Sequence, residues 1–104
     1  MKTIKVAKAT ERQIDWLVAR IEGDELPKSG GKGLDYSTEW AQAGPILERE
    51  RITIRQWTDM PIIHAYMPHD GAPWGAGPTP LVAAMRCFCR SKLGDTVEVP
   101  DELL

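Results

Sequence analysis

Three residues in this 104-residue chain combine metal-binding or proton-moving chemistry with close spacing: His64, His69 and Asp70. A metal centre needs three or four converging ligands, each oriented by a further hydrogen bond. Two histidines five positions apart supply only part of that set, and no second cluster of ligands stands elsewhere in the chain. A His69–Asp70 acid–base pair needs a pocket around it. A small metal-dependent hydrolase is therefore an alternative with one strict requirement, that the three side chains meet in one pocket. The sequence has no Gly-x-Ser-x-Gly elbow, no His-Glu-x-x-His and no Cys-x-x-Cys. No catalytic residue, metal or cofactor is assigned.

Other reactive types are spaced unfavourably. Cys87 and Cys89 sit two apart on an expected helix and point about 200° away from each other. They cannot clamp one metal, and a disulfide between them would unwind the helix. Cys89 is expected in the core and Cys87 nearer the surface. Arg86 and Arg90 lie one turn apart and could hold phosphate with help from Arg12 or Arg20; such a pair is more often a solvated helix face. They carry the alternative of a nucleotide or nucleic-acid binding protein. The GGKG run at 30–33 lacks the preceding strand and following Lys-Ser or Lys-Thr of a phosphate loop, and reads as a linker. GAGPTP approaches a helix, but Pro78 and Pro80 have no N–H to offer an anion.

These residues are positioned by elements that the sequence marks plainly. The strongest stretch is Gly77 to Pro100. Thr79 is a good N-cap, Pro80 suits the first helical position, and Gly94 suits a helix stop. Leu81, Val82, Met85, Phe88 and Cys89 form one apolar arc, with Ala83, Arg86, Cys87 and Arg90 opposite. Thr96 to Val99 then alternates as a strand. Earlier, Lys2 to Ala7 reads as an edge strand. Thr10 to Gln13 has the form of a capping box for a helix with Ile14, Leu17, Val18 and Ile21 inward and Gly23 as its end. Tyr36 to Trp40 starts a second helix, capped by Ser37 or Thr38, with Trp40, Ala43 or Gly44, and Leu47 as its stripe. Gly44-Pro45 should kink or split it.

Ile52 to Trp57 and Ile62 to Met67 read as a hairpin. If Trp57 faces Ile62, one side carries Ile52, Ile54, Ile63, Ala65 and Met67. The other carries Thr53, Arg55, Trp57, Ile62, His64 and Tyr66, which places His64 opposite Arg55 with Tyr66 near. The stretch Pro68 to Gly77 reads as a linker. The expected architecture is α+β: a small antiparallel sheet, hairpin plus edge strands, packed against about three helices in the order β-α-α-β-β-α-β.

Composition narrows the class further. The length suits one domain over residues 1–104. Hydrophobic residues at 42% and charged residues at 27% are ordinary for a water-soluble protein. A net charge of -2 argues against a generally basic nucleic-acid surface. The first ten residues hold no signal-peptide run, and no segment approaches the roughly 20 apolar residues of a membrane span. The host cytoplasm and no membrane association are expected.

Two long motifs, YSTEWAQAGPILERERI from Tyr36 and GPTPLVAAMRCFCRSKLGDTVEVPDEL from Gly77, resemble the phage and prophage NinX-like family of small proteins of unknown function. Asp15-Trp16, Val18-Ala19 and Glu22-Gly23 are similar to it too. The order of elements is also similar to phage domains with an α-β-α sandwich. The resemblance implies a phage or prophage origin and an accessory role, and it brings no catalytic residues.

Four tryptophans stand in the chain, and Trp16 and Trp74 have no obvious core position. An aromatic side chain usually finds something to bury against, so each is either covered by another segment or free to meet a partner. The favoured expectation is a non-catalytic interaction module, binding a protein partner or a second copy of itself.

Overall fold

The computed structural model describes residues 1–23, 34–56, 59–68 and 71–104. In chain order the elements are β1 (Lys2–Lys5), a 3-10 turn (Val6–Lys8), α1 (Glu11–Glu22), α2 (Trp40–Glu50), β2 (Thr53–Arg55), β3 (Ile63–Tyr66), β4 (Gly75–Gly77), α3 (Pro80–Leu93), β5 (Thr96–Val99) and a final 3-10 turn (Asp101–Leu103). The strands make two antiparallel sheets, β1–β5 and β2-β3-β4. The α+β expectation holds, with two sheets where one was expected.

α3 is the hub. Thr79 caps it by accepting the Val82 N–H at 3.2 Å, Pro80 takes the first position, and Gly94 ends it at φ 90°. The expected polar arc is only partly polar, because Ala83 and Cys87 are fully buried beside Leu81, Met85 and Phe88. A helix covered nearly all round must have neighbours on several sides. Here α1 and α2 pack against it, and so does the β2-β3-β4 sheet through β3 and β4. The expected placement of Cys87 nearer the surface is corrected: β4, inside the stretch that reads as a linker, lies against it.

α1 follows its signals closely. Thr10 and Gln13 form the capping box, at 2.9 and 3.3 Å, and Gly23 closes the helix at φ 78°. Gln13 is buried and also donates through Nε2 to the Leu103 carbonyl at 2.9 Å, which ties the last turn to the first helix.

α2 departs from its expected start. Its N-cap is Glu39, with no side-chain cap bond. Ser37 is buried instead: its N–H donates to Asp15 Oδ1 at 2.8 Å and its hydroxyl to the Glu11 carbonyl. It fastens the turn before α2 onto α1. Trp40 stands in the first turn at 55% exposure, and Ala43 and Ile46 carry the burial. Pro45 lies inside one unbroken helix. Proline disfavours helical backbone in the residue before it partly through that residue's Cβ, and Gly44 has none.

The hairpin register is the expected one, Thr53 opposite Tyr66, Ile54 opposite Ala65 and Arg55 opposite His64. Ile63, Ala65 and Met67 are buried on the inner face. Trp57, on which the expected pairing is set, lies outside the described residues, as do residues 24–33 with the GGKG run.

Candidate functional site

The outer face of the β2-β3-β4 sheet gathers most of the unusual side chains. Strand alternation sends Ile63 and Ala65 into the core, so His64 and Tyr66 face the other way. β4 brings Trp74 beside them. Its indole meets the His64 ring edge-on at 5.8 Å and lies tilted against the Tyr66 ring at 5.6 Å. From β2 the Arg55 guanidinium sits over Tyr66 at 5.8 Å. Trp74 nonetheless remains 53% exposed. At the hairpin end Met60 and Ile62 are 44% and 46% exposed, and Ile62 belongs by alternation with His64 and Tyr66.

The backbone under Trp74 is held with unusual closeness. Gly75 lies so near α3 that a Cβ there would stand 2.1 Å from the Ala83 carbonyl oxygen. The Cys87 thiol donates to the Pro73 carbonyl. Arg86 donates to the Ala76 carbonyl at 2.7 Å, and Arg90 donates to the Trp74 carbonyl. Spacing explains the match. Four residues of helix rise about 6 Å, and two residues of strand span about 6.6 Å. The Trp74 and Ala76 carbonyls, two apart, leave the strand on the same side. Two arginines one turn apart therefore fit them, and take the place that a further strand would have.

A family model described as "Bacteriophage P22, NinX" matches residues 5–92. The chain belongs to that family. The NinX match includes the whole outer face and both arginines, so the phage resemblance and the aromatic cluster fall on the same stretch of chain. Membership makes this a phage accessory protein. Comparison with curated proteins gives no match.

Within the NinX span the remaining candidates separate. Of the two alternatives for Trp16, the structure has the covered one: it is a core residue, 9% exposed, with the Arg20 guanidinium over its ring at 5.8 Å. His69 and Asp70, and with them the three-residue pocket, lie outside the described residues. Among the described residues, no three His, Cys, Asp or Glu side chains are grouped as metal ligands, and no helix is long and apolar enough to cross a membrane.

Arg86 and Arg90 work inside the chain. Besides Ala76, Arg86 donates twice to the Ala9 carbonyl, at 3.2 and 2.7 Å, and burial holds its pKa below the usual guanidinium range. Arg90 also donates to Asp95 Oδ1 at 3.1 and 2.9 Å. Both thiols are buried; burial pushes Cys87 up to about 11 and Cys89 up to about 12, which suppresses thiolate chemistry.

Sequence reasoning missed two features. One is the stacking of Trp74 on Tyr66 and His64; its signal was the Trp-Gly-Ala-Gly alternation, in which glycines mark a close backbone approach. The other is Trp40, which walls a cleft of about 260 Å3 with Thr38, Thr79, Pro80 and Leu81. An aromatic at helical spacing from apolar residues gave no sign that it would stand in the first turn.

Proposed function

We propose that this phage accessory protein is a non-catalytic interaction module of the host cytoplasm, docking protein through the outer face of β2-β3-β4. The observation that carries the reading is Trp74, half exposed while packed on His64 and Tyr66. Tryptophan, tyrosine and arginine are the residues that dominate protein–protein binding energy, and Met60 and Ile62 extend the face with apolar surface. A fixed aromatic also loses less freedom on binding than a mobile one.

The test is photo-crosslinking from the same face. Thr53 is exposed on β2, in the outward register of Arg55, and accepts Thr53→p-benzoylphenylalanine. In cells carrying the phage, irradiation should give one discrete adduct, with a second copy or with another protein, and Trp74→Ser should abolish it. An adduct of equal yield in Trp74→Ser, or none at all, would overturn the reading. An adduct with nucleic acid would replace it with the stacking chemistry of a single-strand binder.

A further inference from the structure

The docking face depends on one indole, and the carbonyl of that same residue accepts from Arg90. We propose that Arg90, braced by Asp95, is the positioning residue for Trp74. It fixes the backbone at residue 74 so that the indole is already set across His64 and Tyr66 before any partner arrives. The consequence for docking rests on the function proposed above; the positioning itself needs no partner.

The geometry carries the argument. A guanidinium is a rigid planar fork, so fixing some of its donors aims the others. Arg90 commits Nε and Nη2 to Asp95 Oδ1 at 3.1 and 2.9 Å, which directs Nη1 at the Trp74 carbonyl. Asp95 is itself held, because its carbonyl accepts the Val6 N–H at 3.0 Å where β1 gives way to the 3-10 turn. A continuous chain of bonds thus runs from the β1–β5 sheet through Asp95 and Arg90 to Trp74. Arg86 does a different job: its two targets, Ala9 and Ala76, are carbonyls of the core packing rather than of Trp74. A lysine at position 90 would keep the charge but lose the fork, since one ammonium cannot aim at both acceptors along fixed directions.

The experiment is NMR relaxation of the four tryptophan indole N–H groups, with the Trp74 signal assigned by its loss in Trp74→Phe. In the native chain that indole should be as ordered as rigid backbone, with an order parameter of about 0.85. In Arg90→Lys it should fall below about 0.6 while the Trp16 and Trp40 indoles are unchanged. Asp95→Ala, which removes the Oδ1 that both Arg90 bonds use at an exposed side chain, should loosen Trp74 in the same selective way, and it serves if Arg90→Lys does not fold. Lys92→Ala, which removes an exposed pair with Glu50 two residues along α3, should leave Trp74 ordered. Unchanged Trp74 order in both the Arg90 and Asp95 variants would overturn the proposal, and so would an equal loss of order at Trp16, Trp40 and Trp74. The two readings fail separately. Crosslinking that survives Trp74→Ser removes the docking face while a selective loss of order still establishes Arg90 as the positioning group. Trp74-dependent crosslinking with a rigid Trp74 in the variants removes the positioning alone.

Discussion

Replacing Gly75 by alanine tests how closely β4 approaches α3. A Cβ at this position would stand 2.1 Å from the Ala83 carbonyl oxygen, 2.4 Å from the Cys87 nitrogen and 2.8 Å from the Cys87 Cβ. Two of these three atoms are helix backbone, so no side-chain rotation relieves the clash. Either β4 or α3 must shift by more than roughly 1 Å to restore ordinary separation. Overpacking that side chains can absorb costs about 1–3 kcal/mol. Here the shift also strains the Cys87, Arg86 and Arg90 bonds to the Pro73, Ala76 and Trp74 carbonyls. A hydrogen bond from a charged donor contributes about 1.5–3 kcal/mol. Loss of one such bond brings the expected destabilisation to about 3–5 kcal/mol. The opposing gain, reduced freedom of the unfolded chain, is only about 0.4–1 kcal/mol.

Urea unfolding followed by far-UV circular dichroism reads this directly. With a slope of about 1.5–2 kcal/mol per molar, the midpoint of Gly75→Ala should fall by about 2 M. Gly77→Ala supplies the internal scale. Its Cβ would meet the Val82 Cγ1 at 2.7 Å, a side-chain atom that can turn away, with the Ala83 nitrogen at 3.1 Å. The expected loss there is smaller, about 1–2 kcal/mol. A Gly75→Ala variant within about 0.5 kcal/mol of the native chain, or a larger loss at Gly77 than at Gly75, would refute the close-approach argument.

Three further expectations concern charge and thiols. Burial holds the Asp15 carboxyl above its ordinary 3.8, against the Ser37 N–H that favours the ionised form. A raised folded pKa means stability from this group is fully present below the unfolded value and is lost as pH rises through the folded one. Asp15→Asn, which can still accept from Ser37, should therefore flatten the melting-temperature profile just above the unfolded value; a profile unchanged by the substitution would contradict this. Arg86→Lys should cost about 2–3 kcal/mol in urea unfolding, because one ammonium cannot serve the Ala9 and Ala76 carbonyls together; a loss under about 0.5 kcal/mol would show those bonds to be dispensable. Neither Cys87 nor Cys89, pushed up to about 11 and about 12 by burial, should react with Ellman's reagent at about pH 8 until urea unfolds the chain; rapid native labelling of either would place it outside the core.

What could be read from the sequence follows the range of the forces involved. The capping box at Thr10, the Pro80 start and the glycine stops are local, within four residues, and they stand where their chemistry put them. The hairpin register was legible because period-two burial leaves a one-residue slip nowhere to hide its apolar set. What was not legible depends on contacts distant in sequence. β4 is three residues of glycine and alanine with no apolar alternation of its own; it is a strand because β3 offers an edge and α3 offers two carbonyl-seeking arginines. Once β4 is in place the other surprises follow from it. Cys87 is buried because Gly75 lets a backbone lie on it, and Arg86 and Arg90 turn inward because that strand brings carbonyls within reach. Trp74 comes to rest on His64 and Tyr66 because β4 pairs with β3 in register. The segment that looks least like structure is the one that builds the candidate site, so substitutions of Gly75 and Gly77 should affect fold and docking together, whereas those at the exposed Trp74 side chain and the outer side chains of β2 should affect docking alone.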